Sequence, residues 1–101
     1  MRFGISLQAF NTTDWERVAR DDWSRPSAVP DAQIWHENLR LGDMAEPLGF
    51  DSLWTTEHHG SPYGMCPNPL LMLSYFAGRT KTIRLGTMVV VLPWHNPFKL
   101  A

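Results

Sequence analysis

Glu57, His58 and His59 set a carboxylate and two imidazoles side by side, directly after the apolar pair Leu53-Trp54 and two threonines, in a chain of 101 residues. Imidazole is the side chain best suited to giving and taking a proton near neutral pH, and a carboxylate beside it can orient the ring or share its charge. Three chemistries are open to such a triplet: acid-base work beside a cofactor, metal ligation, or a plain polar end to a buried strand. Metal fits worst. Neighbouring side chains on an extended strand point to opposite faces, and the two-histidine helical motif places its ligands four residues apart. The same alternation turns one histidine toward the mouth of a site and sends the other sideways.

Other residues offer weaker chemistry. Cys66 lies in a Met-Cys-Pro loop with no cationic neighbour in sequence, which reads as a small inert hydrophobe. Trp15, Trp23 and Trp35 could line a substrate mouth, but Trp35 falls on the apolar stripe of a helix and reads as core. Gly86 and the small Thr87 would let a flat ring approach a strand end, although a glycine within a strand is also a common packing accommodation.

The elements that would position these residues can be traced along the chain. Arg2 to Leu7 reads as a first strand, and residues 11–30, with two prolines, two tryptophans and several acids, read as a long loop with room for one helical turn. From Asp31, taken as an N-cap, an apolar stripe through Ile34, Trp35, Leu39, Met44, Ala45 and Leu48 gives a first helix that Gly49 would close. Residues 51–55 form a second strand. A Gly/Pro-rich loop then leads to Asn68-Pro69, a favoured N-cap and first helical residue, for a second helix over about 69–79. Lys81 opens a third strand that ends near Val91, and a new helix starts at Pro97. Strands alternating with helices imply a parallel α/β sheet with right-handed crossovers. Three parallel strands leave raw edges and too few helices to cover both faces, so the chain is expected to be the N-terminal segment of a larger barrel or doubly wound domain.

Composition limits the functional classes. Hydrophobic residues make up 44%, charged residues 19%, and the net charge is −1, which describes a globular chain without the basic patch that nucleic acid or an anionic membrane would require. The longest apolar run, Met88 to Leu92, falls far short of the ~20 residues of a membrane span. One cysteine allows no internal disulfide, and no basic region followed by an apolar stretch opens the chain, so a cytoplasmic location is expected. No Gly-x-Gly-x-x-Gly fingerprint marks a nicotinamide-dinucleotide fold.

Gly49-Phe50-Asp51-Ser52-Leu53-Trp54, Glu57-His58-His59, Asn68-Pro69, the run Thr80 to Thr87, Leu92-Pro93 and Pro97 follow one another in an order that resembles the bacterial luciferase family of flavin-dependent monooxygenases. Arg2-Phe3-Gly4 fits as well, and only the loop of residues 11–30 stands outside the resemblance. The resemblance implies a TIM (β/α)8 barrel, of which residues 1–101 would supply about the first three strands and two to three helices. It implies that His58 is the catalytic acid-base residue beside the flavin, that Glu57 is a flavin-pocket carboxylate, and that Met88-Val89 is where the backbone bends under the flavin ring, often with a non-prolyl cis peptide. Trp15, Trp23 and His59 are then candidates for the substrate pocket. Asn96 stands where luciferase itself has a histidine, and His95 lies one residue earlier. The implied cofactor is FMN, reduced by a separate flavin reductase and used with O2 on a small organic substrate; the full-length form is expected to be a homo- or heterodimer. Two other functions are compatible with the same residues: hydride transfer with the deazaflavin F420 within the same superfamily, and non-catalytic flavin binding or protein interaction by a truncated barrel.

Overall fold

Three short strands, β1 (Gly4–Leu7), β2 (Ser52–Thr55) and β3 (Arg84–Thr87), pair in parallel in the order β1-β2-β3 in the computed structural model, which describes residues 1–101. The register places Ile5, Leu53 and Leu85 in one row across the sheet and Ser6, Trp54 and Gly86 in the next. Because side chains alternate along a strand, these rows face opposite sides. One side is the core: Leu7, Leu53, Met72, Phe76 and Ala45 are buried together, with Ile5, Leu85, Trp35 and Leu39 packed around them. Trp35 is therefore core, as its place on the apolar stripe implies.

The helices follow from local chemistry. α1 (Trp15–Ala19) is the single turn within the loop of residues 11–30. α2 (Asp31–Ala45) carries Trp35, Leu39 and Ala45 inward. Asp31 does not cap it: Pro30 stands at the N-cap, and the Asp31 carboxylate instead accepts from Asn11 Nδ2 at 2.7 Å. A nearby side-chain donor outcompeted the helix end. Gly49, at φ +84°, turns the chain after α2, as the sequence implies. α3 (Pro69–Ala77) opens on the expected cap, Asn68 accepting from the Leu71 N–H at 3.1 Å, and α4 (Pro97–Leu100) repeats the device with Asn96 and Phe98 N–H at 2.9 Å.

β3 is shorter than its apolar sequence suggests. The Glu46 carboxylate, just beyond α2, accepts from the backbone N–H groups of Lys81, Thr82 and Ile83, which holds those residues in a turn. At the other end Met88 N–H still reaches Thr55 O at 2.7 Å, but Val91 N–H goes to a side chain and the ladder stops.

Both crossovers lead to the adjacent strand, and α2 and α3 pack on the same face. That arrangement fits the opening of a barrel, and also one half of a doubly wound sheet, whose order reverses only past the third strand. The opposite face carries Gly4, Ser6, Ser52, Trp54 and Gly86, a row that points toward the axis in a closed barrel. A Cβ on Gly4 would lie 2.9 Å from Trp54 Nε1 and one on Gly86 would lie 2.5 Å from Trp54 Cζ3, so the two glycines make room for the indole between them. Gly86 is thus a packing accommodation. No helix is long and apolar enough to cross a membrane.

Candidate active site

Parallel strands deliver all three of their C-terminal ends to one edge, and the loops after Leu7, Thr55 and Thr87 meet there. Backbone hydrogen bonds sew them together: Asn11 N–H to Pro62 O at 2.9 Å, Met65 N–H to Ala9 O at 3.1 Å and His58 N–H to Cys66 O at 3.0 Å. Asn11 is 2% exposed and donates through Nδ2 to Val29 O as well as to Asp31, so it ties the long loop of residues 11–30 to the start of α2.

His58 and His59 diverge. The His58 ring packs edge-on against Tyr63, centroids 5.2 Å apart, and over Gly64, whose φ of +70° and missing Cβ leave space for the imidazole. A cavity of about 390 Å³ runs from His58 past Trp23, Trp35, Asp31 and Met65. Tyr63 also stacks on Phe10 at 4.6 Å and touches Trp15 at 5.8 Å, which makes it the aromatic hub of this corner. Trp23 and Trp15 do not share a pocket: Trp15 borders a polar cleft with Arg17, Arg20 and Arg25 on the other side of α1.

His59 stacks on Trp94, ring centroids 4.8 Å apart, and its Nε2 lies 2.7 Å from Glu57 Oε1. The Glu57 side chain has no exposed surface. Its other oxygen, Oε2, accepts from Val91 N–H at 2.8 Å and lies 2.9 Å from His95 Nε2. Burial by itself pushes a carboxyl group upward, but the Val91 N–H and the two imidazoles outweigh it and hold Glu57 at about 2, well below the usual carboxylate range. Both Glu57 oxygens are therefore spent on protein partners.

The Met88–Val89 peptide at the end of β3 is cis, and the two side chains are 48% and 61% exposed. They form an apolar shelf beside the histidines, of the kind a flat ring can rest on. Cys66 is buried and desolvation pushes its thiol upward, in keeping with an inert role. Sequence reading missed the parts played by Tyr63 and Asn11, and it left His95 without one. A histidine next to the residue aligned with a luciferase histidine was the available signal for His95; nothing local marks Asn11 or Tyr63.

The whole of residues 1–101 matches the sequence model of the luciferase-like monooxygenases. The chain is 41% identical over 69 residues to the oxygenase component of the flavin-dependent trigonelline monooxygenase of Acinetobacter baylyi, a match that covers 68% of this chain and 19% of that protein. Among solved structures, a monooxygenase of Streptomyces bottropensis superposes with a TM-score of 0.75 at 32% identity, over 99% of this chain and 27% of that one. The oxygenating constituent of the 3,6-diketocamphane monooxygenase of Pseudomonas putida, in complex with FMN, also superposes at 0.75, with 23% identity, covering 99% of this chain and 24% of that one, a likeness of fold. The chain thus spans about a fifth of the length of the curated relative it matches. Its strand order, its one-sided helices, the Glu57-His58-His59 strand end and the match along all 101 residues lead to one conclusion: this chain belongs to the luciferase-like monooxygenase family, and its fold is the opening portion of that family's TIM barrel.

Proposed function

We propose that the chain forms part of the oxygenating component of a two-component, flavin-dependent monooxygenase, which uses reduced FMN and O2 to oxygenate a small organic substrate. One observation carries the reading: His58 and the exposed apolar pair Met88-Val89 emerge at the same edge of the sheet, from adjacent strands. These residues fit a flavin. The shelf offers an apolar surface to the ring, and a half-buried imidazole beside a cavity bordered by Trp23 and Trp35 offers a proton donor and acceptor. Reduced flavin, when bound, supplies the electrons that activate O2 for transfer of one oxygen atom.

The chain's own residues have narrower tasks. Met88 and Val89 would hold the ring, with Glu57 bracing the wall of the pocket from behind. His58 would donate or accept a proton at the ring nitrogen that faces the cavity. Trp23 would line the substrate side beside His58; Trp15, which borders a different cleft, would reach this corner only through Tyr63, and His59 would meet substrate only from the Trp94 side. The Acinetobacter relative is an oxygenase component, which supports a separate reductase as the source of reduced FMN. The single, buried cysteine supports a reducing compartment, and we place the protein in the cytoplasm.

The test is direct. The full-length protein in which these residues stand is mixed anaerobically with reduced FMN, air enriched in the heavy oxygen isotope is admitted together with a panel of small ketones, aldehydes and heteroaromatic compounds, and products are weighed for one incorporated oxygen. His58→Ala should retain FMN and lose at least ~100-fold in product, the lower end of what a positioned acid-base group contributes. Undiminished product in that variant would remove His58 from the chemistry.

A further inference from the structure

Glu57 connects segments far apart in sequence. Its carboxylate joins the end of β2 to Val91 and His95, 34 and 38 residues further along, and to His59 two residues away. Its three partners are one backbone N–H and two imidazoles; no lysine or arginine is among them. A buried carboxylate that keeps its charge can only accept hydrogen bonds. The hydrogen in each contact must therefore belong to the imidazole, which fixes His59 and His95 alike with the hydrogen on Nε2. The two rings converge on one carboxylate and do not form a metal-holding cluster.

The other nitrogen of each ring has a different fate. Neither Nδ1 bonds to any protein group, although every Nε2 hydrogen bond is short and definite, at 2.7 and 2.9 Å. His59 is 35% exposed and His95 17% exposed, and both remain reachable from outside. Trp94 lies flat against His59, its ring plane inclined by only 19°, so rotation of that imidazole is opposed by stacking as well as by the hydrogen bond. A neutral imidazole whose hydrogen is held on one nitrogen presents a lone pair on the other. It can meet only a donor.

We propose that Glu57 is a positioning residue which locks His59 and His95 in the Nε2–H tautomer, so that each ring offers its Nδ1 as an acceptor for an N–H or O–H group of a bound ligand. The site is separate from His58, which faces the Tyr63 and Trp23 side. It adjoins the Met88-Val89 shelf through Val91, whose N–H the same carboxylate holds. The proposal depends on the monooxygenase reading only for the identity of the ligand; the tautomers follow from hydrogen bonds within the chain.

Histidine-labelled chain observed by long-range proton-nitrogen NMR at about pH 8.5, where an ordinary histidine is neutral, tests it. The expected result is two exchange-protected ring N–H signals, both on Nε2, from His59 and His95, with both Nδ1 nitrogens at the unprotonated frequency. Glu57→Gln swaps one of the two acceptor atoms for a donor at nearly constant volume. One protected signal should vanish and its ring should shift toward the opposite tautomer, while the exposed His36 ring is unaffected. His95→Gln gives an independent check that retains Glu57 and should leave a single protected signal. Absence of protected signals in the unaltered chain, or two of them surviving in either variant, would overturn the tautomer lock. FMN, which carries an imide N–H and ribityl hydroxyls, is then added to the full-length protein in which these residues stand, labelled in the same way. A displaced Nδ1 resonance of His59 or His95 supports the acceptor site; FMN bound with both Nδ1 resonances unmoved overturns it. If the full-length protein fails to bind FMN, the monooxygenase reading is overturned, while the protected signals in the 101-residue chain still decide the role of Glu57.

Discussion

Gly64 holds a backbone conformation that side chains resist, at φ +70°, and the atom it lacks would lie 2.4 Å from the His58 ring. Alanine there pays twice: about 1–2 kcal/mol for the left-handed backbone, and a steric push that moves the imidazole. Gly60, at φ +63° with open space around it, is the control that pays only the first cost. Gly64→Ala should therefore lose product formation as His58→Ala does, whereas Gly60→Ala keeps it; equal activity in the two glycine variants would show that this contact does not hold His58. Acid stability gives a second prediction. Glu57 and Glu46 are both held at about 2, below the 4.5 of an ordinary glutamate. Between those values the unfolded chain takes up protons that the folded chain refuses, so stability is complete above about pH 4.5 and declines as pH falls toward 2. Urea unfolding across that range should lose about one proton's worth of slope in Glu57→Gln and likewise in Glu46→Gln; Asp14 and Asp22, also lowered, contribute to the slope that remains. An unchanged slope would mean that these carboxylates are not held so low. What the sequence disclosed at this scale was what lay contiguous. Glu57, His58 and His59 adjoin, and so they stood out. His95 meets Glu57 across 38 residues and Asn11 meets Asp31 across 20, pairings that exist only once the strands are in register.

At the scale of elements, hydrophobic spacing was enough to find the strands and the two main helices, and turn chemistry found two of their starts. Asn68 caps α3 and Asn96 caps α4 because asparagine followed by proline suits a helix start with little regard to its surroundings. Boundaries set by distant side chains were not legible. Asp31 was drawn away from the cap by Asn11, and the residues before β3 were captured by Glu46, a glutamate whose sequence neighbours give no sign of that task. Glu46→Ala should accordingly raise hydrogen exchange at Lys81, Thr82 and Ile83 well above that of the β2 amides; protection equal to that of the unaltered chain would show that the turn stands without the carboxylate. The contact of α2 with α3 joins an Arg79–Asp43 ion pair at the surface to one close fit in the core. Phe76 is fully buried, and a Cβ on Gly42 would come within 2.2 Å of its ring and 2.8 Å of Leu7. Phe76→Ala should cost about 3–5 kcal/mol in urea unfolding, the range for a large aromatic lost from a packed core. A cost under ~1 kcal/mol would mean that α2 and α3 close over the gap.

At the scale of the whole molecule, the balance is between one covered face of a sheet and one bare face. Helices α2 and α3 shield Leu7, Leu53 and Phe76, yet Trp54 on the other side is 38% exposed, and β1 and β3 each leave a row of backbone groups unpaired. Parallel strands are normally buried on both faces, and unpaired edges recruit further strands. Beyond the shelf, Leu92, Trp94 and Phe98 stand 65%, 68% and 95% exposed. A chain of these 101 residues by itself leaves this apolar surface uncovered, and a second copy is the nearest source of cover. Its melting temperature should therefore rise with protein concentration through the micromolar range, because association that favours the folded state shifts the transition by mass action. Trp54→Ser, which removes the largest apolar group from the bare face without touching the core, should weaken that dependence. A sharp, cooperative melt at one temperature over a hundredfold range of concentration would show that three strands and two helices suffice alone, and that the bare face needs no partner to be stable.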